Sequence, residues 1–405
     1  MKTTTANRQT LVDILRGVSL LGILLANVVL FQYGAGIVDF EMFDLSEWDK
    51  NVDSVMDVLI HGSFVPIFTF LFGFGIFKMK ENLEARGQKW RLVIIRRCIM
   101  MLGLGFLHFY FLWQGDILRL YGFLGLLLFG FLARKSRTVL IGSIIGYVVL
   151  IIIGLSLNLL TTDQLKEKRE LTITQLIESE IPVFSSGTYW EIFHHSGPDS
   201  AEQLSMSAVT VLQILLLPFG SLTMFLLGIY AAKRSWFTQP ETKRRRYGRG
   251  ALLFLPLGLL IKTLHGMWPD SIFGGITEYI GPITLAIGYL FTFAWILSGV
   301  KNKKLLYPFE AVGKLSLTNY LMQSVICTTI FYGYGFGYYG KLGLTAGIGI
   351  ALVIYALQLL FSVLYLKYFK MGPVERLLRI WTYWSLSGSA RKAKARNDGP
   401  TIVAK

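Results

Sequence analysis

The chain has 405 residues, a net charge of +15, 53% hydrophobic and 16% charged residues, and a mean hydropathy of +0.52. That much apolar surface has no single soluble core to enter, which excludes an ordinary globular domain and predicts an all-α, polytopic membrane protein. The basic residues recur in short clusters between apolar runs, which argues against nucleic-acid binding and for an orientation signal in a membrane.

Residues 1–9 are polar and lead directly into apolar sequence without a small-residue cleavage site, so no removable signal peptide is expected. A first span is predicted at 14–35, long enough as a helix to cross roughly 30 Å of hydrocarbon. Asp13 and Arg16 stand three residues apart at its mouth, where they either pair with each other or receive a ligand. Asn27, three turns deeper, needs an interhelical partner or a cavity.

An acidic stretch from Asp39 to Asp57 and then His61 precede a second span at 63–80, whose Gly73-Phe74-Gly75 reads as a close helix contact. The segment from Lys78 to Arg97 is basic and marks a cytoplasmic side. Spans at 96–113 and 116–133 form a tight hairpin that sets His108, Asp116 and Arg119 within or beside membrane helix. A charge at the bilayer centre costs roughly 2.5–3.5 kcal/mol on insertion scales, so such residues face a protein interior and partner one another. This hairpin is the expected floor of a functional site.

A fifth span is predicted at 138–160. Residues 161–204 break the apolar pattern, and Leu165, Leu171, Ile173, Leu176 and Ile177 sit near helical spacing, so part of this segment is expected as an amphipathic helix on the outer surface. Adjacent His194 and His195 do not face the same way on a helix, and no metal site is predicted. Further spans follow at 205–232, 250–268, 277–300, 315–332 and 343–366. Lys243 to Arg246 reads as a juxtamembrane run against anionic lipid. Lys262, His265 and Glu278 fall toward outer ends, while Asn319 and Gln323 share one helical face, as packing groups or ligand contacts. Residues 372–384 suit an interfacial helix, and the tail from Ser385 is polar and basic. Cys98 and Cys327 lie in apolar spans as small hydrophobes.

Ten spans can be tested by charge. The segments assigned to the cytoplasm hold 32 Lys and Arg, and the outer ones hold 5, which puts both termini in the cytoplasm. His61, Asp116, Arg119, His265 and Glu278 then fall in one leaflet, where they are expected to converge. The organisation is a five-span half at 1–160, an extracytoplasmic segment at 161–204, a second five-span half at 205–370, and an interfacial helix with tail at 371–405. An odd span count per half would invert the second half relative to the first, as in many transporters.

Several motifs carry a resemblance: Asp13-Ile-Leu-Arg16-Gly, Phe70-Leu-Phe-Gly-Phe-Gly75, Gly115-Asp-Ile-Leu-Arg-Leu-Tyr121, Gly313-Lys-Leu-Ser-Leu-Thr-Asn-Tyr-Leu-Met-Gln-Ser324 and Gly372-Pro-Val-Glu-Arg376. In this order they resemble the YeiB-like bacterial membrane proteins of the domain of unknown function 418 family, which implies a multi-pass protein of the bacterial cell membrane. The opening Asp-x-x-Arg-Gly with Asn27 is also similar to heparan-alpha-glucosaminide N-acetyltransferase and related membrane acyltransferases, which move an acyl group from cytoplasmic acyl-CoA to an acceptor across the membrane. That resemblance implies Arg16 at the opening of the donor channel and Asn27 beside the acyl carbonyl. The acetyltransferase has a His eleven residues after the Asn, where this chain has Val38, so His108, oriented by Asp116, becomes the candidate base. His108 can equally be structural or bind substrate without chemistry. The expected donor is acyl-CoA, the acceptor a sugar or lipid-linked group, and the surroundings membrane lipid, with an oligomer open. Asp13, Arg16, Arg119, Glu278, Asn319 and Gln323 are the expected substrate-binding set. The rival reading is a small-solute transporter with the same polar groups as its binding site. A third is a membrane component that senses through 161–204. No glycine-rich phosphate loop points to ATP-driven pumping.

Overall fold

An apolar run in lipid has one stable form available to a single segment, a helix that satisfies its own backbone hydrogen bonds. The computed structural model follows that rule, and it describes residues 4–34, 42–160, 163–195, 218–269 and 271–387. Among these the regular elements are all helical. The first half contains α1 (Thr4–Tyr33), α2 (Glu47–Leu59), α3 (Phe64–Glu84), α4 (Trp90–Phe111), α5 (Leu118–Leu127) and α6 (Ser136–Leu160). Next come α7 (Asp163–Ser186) and α8 (Tyr189–His195). The rest comprises α9 (Pro218–Lys233), α10 (Arg244–Met267), α11 (Ile272–Gly299), α12 (Tyr307–Lys314), α13 (Ser316–Phe331), α14 (Leu344–Tyr368) and α15 (Pro373–Tyr383).

Seven stretches among the described residues are long and apolar enough to cross a membrane: 10–33, 47–84, 90–111, 136–156, 240–267, 273–299 and 344–368. Two of the remaining three expected spans are shorter as helices, and the third is described only in part. α5 has 10 residues and continues as a 3₁₀ turn, Phe129–Ala133, while α9 and α13 have 16 each. Residues 205–217 of the expected sixth span, and the tail 388–405, lie outside the described residues.

α1 is the axis of the bundle. Leu15, Leu20, Ile23, Leu24 and Val28 are fully enclosed, because α1 packs against α3, α12, α13 and α14 at once. α6 and α10 are peripheral, with Ile141, Ile144, Ile145, Leu252, Leu253 and Leu260 exposed. Such side chains suit hydrocarbon, where apolar surface carries no penalty. The glycines of the second span act as expected: a Cβ on Gly73 would overlap the backbone of Phe225 in α9, and one on Gly75 would press on the Arg16 guanidinium.

Two membrane helices begin with no capping side chain of their own and borrow one. Glu375 of α15 accepts from Leu317 N (2.8 Å), Thr318 N (3.0 Å) and Thr318 Oγ1 (2.5 Å), closing the start of α13. Asp49 of α2 accepts from Thr345 N and Thr345 Oγ1, both at 2.9 Å, closing the start of α14. A carboxylate at these positions satisfies orphan N–H groups and meets the positive end of the helix dipole.

The α7–α8 segment closes the end of the bundle opposite the basic clusters. Tyr189 donates to Phe111 O at 2.7 Å, Gly333 N to Phe184 O at 2.7 Å, and Tyr339 to Glu180 Oε2 at 3.2 Å.

Candidate functional site

The centre of the site is set by the α4–α5 hairpin. A Cβ on Gly105 would collide with the backbone of Arg119 and with Asp116 Oδ2, so glycine there lets α4 and α5 approach until Asp116 lies against α4. Asp116 Oδ1 is then 2.9 Å from His108 Nδ1. Asp116 Oδ2 accepts from Arg119 N at 2.8 Å and stands 3.5 Å from Arg119 Nε. The Arg119 guanidinium stacks on the Phe109 ring, 3.5 Å from its centroid, a cation–π contact that keeps the charge next to the hairpin. His108 and Asp116 side chains are 2% and 0% exposed.

The other ring nitrogen, His108 Nε2, lies 2.9 Å from Ser324 Oγ on α13. A carboxylate oxygen only accepts, so the proton between Asp116 and His108 belongs on Nδ1, and Nε2 is left to accept from the Ser324 hydroxyl. The result is an unbroken relay, Ser324–His108–Asp116, sealed in the bundle. The Tyr320 ring packs on His108 at 5.4 Å from one side, and Trp113 meets it edge-on at 6.4 Å. Trp113 in turn stacks on Phe31 of α1 at 4.0 Å.

Tyr320 is also part of a cavity wall. A cavity of about 440 Å³ is lined by Phe68, Phe72, Met101, Leu118, Tyr121 and Tyr320 in its apolar part, and by Asp13, Arg16, Arg97, Lys314, Lys370, Glu375 and Arg379 in its polar part. A second cavity, of about 460 Å³, shares Asp13, Arg16, Arg97 and Arg379 and adds Lys78 and Arg86. Both volumes fall in the range of small-molecule sites, and cations outnumber acids in the walls of each. Asp13 and Arg16 pair locally at 3.0 Å, and Glu375 is occupied by the α13 cap. On the far side of Trp113 a smaller cleft, of about 60 Å³, is lined by Trp113, Gln114, Gly115, Glu180, Phe184, Tyr189 and Tyr332.

Asn27 shares the α1 face of Arg16, about 16 Å further along, and lies one turn before Phe31. It is half-buried. Asn319 and Gln323 instead face α14: Asn319 Nδ2 donates to Ser362 Oγ at 3.0 Å, Gln323 Nε2 to Gln358 Oε1 at 2.9 Å, and Gln358 Nε2 to Asn319 O at 2.9 Å. They bind helix to helix. Their neighbours Tyr320 and Ser324, four apart on the adjoining face, are the α13 residues that meet His108. That i, i+4 pair was visible in the sequence, but a serine and a tyrosine in a span carry no cost that would flag them.

The outer ionisable groups divide into two sets. Asp116 and Arg119 belong to the relay. Lys262, 6% exposed, reaches Asp57 Oδ1 and His61 O, both at 3.4 Å, and His61 Nδ1 is 3.9 Å from Asp57. Glu278 is exposed, one turn before Gly281, which lies against the Lys262 stem. His265 Nδ1 pairs with Gly274 O at 3.1 Å. Among the described residues, no group of three or more His, Cys, Asp and Glu is gathered as a metal ion would require.

Fold and site together define a multi-pass helical membrane protein with a polar relay enclosed between a basic cavity and a small aromatic cleft. The family described as "Protein of unknown function (DUF418)" matches residues 231–385, from the end of α9 through α15. "Uncharacterized protein YxaH" of Bacillus subtilis (strain 168) is 33% identical over 402 residues, covering 97% of this chain and 98% of its own length. "Uncharacterized protein YeiB" of Escherichia coli (strain K12) is 28% identical over 398 residues, with 92% and 95% covered. The chain belongs to this YeiB-like, DUF418 family.

Proposed function

We propose that the protein is an acyltransferase of the bacterial cell membrane, taking an acyl group from acyl-CoA at its basic, cytoplasmic face and delivering it to a hydroxyl of a sugar or lipid-linked acceptor that arrives from the other side. The observation that carries this reading is the His108 relay, with Tyr320 joining it to a basic cavity and Trp113 joining it to the outer cleft. Arg16, Arg97, Lys370 and Arg379 would meet the donor's phosphates, where clustered cations hold several charges that a single pair could not. Phe68, Phe72 and Met101 would line the path of the less polar part of the donor. Asp13 and Arg119 hold Arg16 and Asp116 in position. Asp116 orients His108, His108 takes the acceptor's proton, and the amide of Asn27 meets the acyl carbonyl oxygen, where charge develops.

Purified protein in lipid, assayed for binding and consumption of acetyl-, butyryl- and palmitoyl-CoA, tests this. Asn27→Ala and His108→Ala should keep binding and lose turnover by about 10²–10⁴-fold. If none of the three thioesters binds the wild type, the assignment is wrong. The two-sided arrangement also favours a second reading, a transporter in which the aromatic pair Trp113 and Tyr320 gates a solute site at His108. Substrate counterflow in sealed vesicles without thioester loss would select it.

A further inference from the structure

We propose that Ser324 carries the acyl group as an ester between donor and acceptor, so that transfer proceeds through two half-reactions. This rests on the acyltransferase reading and goes beyond it, since His108 alone could serve a direct transfer. The geometry is specific: Ser324 Oγ stands 2.9 Å from His108 Nε2, and His108 Nδ1 stands 2.9 Å from Asp116 Oδ1. Nucleophile, base and orienting carboxylate are thus in line, the connectivity that activates a serine hydroxyl near neutral pH. Other buried serines here meet backbone carbonyls or an amide, as Ser19 donates to Leu15 O at 2.7 Å and Ser362 accepts from Asn319 Nδ2 at 3.0 Å. Ser324 instead meets an imidazole nitrogen, 216 residues distant in sequence.

Position supports the role. Ser324 is 1% exposed and lies one turn, about 6 Å along α13, beyond Tyr320, whose ring lines the basic cavity. Trp113, on the opposite side of His108, lines the outer cleft. A donor held at the cytoplasmic end and an acceptor held at the outer end need not meet if the acyl group waits on Ser324. A water-excluded ester also resists hydrolysis during that wait.

The steps balance. Ser324 Oγ attacks the thioester carbonyl carbon while its proton passes to His108 Nε2. The carbon–sulfur bond breaks, and the sulfur leaves with that proton as the free thiol of CoA. The acceptor hydroxyl then attacks the seryl ester and gives its proton to His108 Nε2. The bond from carbon to Ser324 Oγ breaks, and Oγ recovers the proton. The sum is acyl-CoA plus alcohol giving ester plus CoA thiol.

The test uses the full-length protein in lipid nanodiscs, incubated with radiolabelled acetyl-CoA without acceptor, then quenched and mapped by peptide mass spectrometry. We expect one acetyl group on Ser324 and a burst of CoA thiol equal to the protein present. Ser324→Ala should bind acetyl-CoA as the wild type does, carry no label, and lose turnover by about 10³-fold or more. Ser324→Cys should restore the label as a hydroxylamine-sensitive thioester, which a purely structural serine would not give. His108→Ala should abolish labelling. If wild type turns over acetyl-CoA with no seryl adduct at any time and Ser324→Ala turns over nearly as fast, the ester is excluded while the acyltransferase reading stands. If wild type neither binds nor consumes the thioester, both fall.

Discussion

Glu180 illustrates what a single half-buried carboxyl does at the rim of this bundle. It lies on α7, outside the spans, and accepts from the Tyr339 hydroxyl at 3.2 Å. Burial pushes its carboxyl above the ordinary range, with only the tyrosine hydrogen bond acting in the other direction. A carboxyl whose folded value lies above its unfolded value favours the closed segment at low pH and withdraws that support as pH rises through the folded value. Tyr189, Tyr332, Tyr334, Tyr339, His195 and Lys341 are other titratable groups at this seam among the described residues. Hydrogen exchange over residues 180–186, corrected for intrinsic rate, should therefore quicken as pH rises above the ordinary carboxylate range, and Glu180→Gln should flatten the profile. An unchanged profile in that variant would remove Glu180 as the cause. Residue-level chemistry was unevenly legible. His108, Asp116 and Arg119 announced themselves because a charge in a span is expensive. Ser324, Tyr320 and Glu180 did not, because hydroxyls are cheap in a helix and a glutamate in a polar segment looks solvated.

At the scale of elements, α13 depends on a neighbour. Its first turn has no capping side chain of its own, and Glu375 supplies one from α15 through three hydrogen bonds. The Gly372-Pro-Val-Glu-Arg376 motif thereby gains a physical meaning that sequence reading, which saw an interfacial helix, did not reach. Pro373 starts α15 and sets Glu375 within its first turn. Removing the carboxyl leaves N–H groups exposed at the positive end of a helix that carries both Tyr320 and Ser324. Glu375→Ala should cost about 1–2 kcal/mol and lower the thermal midpoint in detergent, with Glu375→Gln intermediate because an amide oxygen still accepts. A midpoint equal to wild type would mean that water replaces the cap. The long helices were legible from apolar runs alone. The shortness of α5 and α13 was not, since hydropathy does not report where a turn or a borrowed cap ends a helix.

Across the whole molecule, the positive-inside count and the three-dimensional arrangement make one argument. The charge count assigns 32 Lys and Arg to one side, and the fold gathers three of them, Arg97, Lys370 and Arg379, with Arg16 of the first span, around one cavity. Orientation alone would be satisfied by cations spread over the lipid headgroups, whereas the proposed acyl-CoA donor needs them clustered around one cavity. The orientation can be measured without knowing the guest. Cys98 and Cys327 are both buried, which leaves a quiet background for single-cysteine labelling. Phe336 is 71% exposed on the outer turn, whereas Lys370 lines the basic cavity. A membrane-impermeant maleimide added to intact cells should label Phe336→Cys and spare Lys370→Cys, and inside-out vesicles should reverse the pattern. Coenzyme A added to those vesicles should then slow labelling of Lys370→Cys several-fold while Phe336→Cys, on the far face, stays protected from reagent throughout. The reverse labelling pattern would place the basic cavity outside the cell, where no acyl-CoA could reach it.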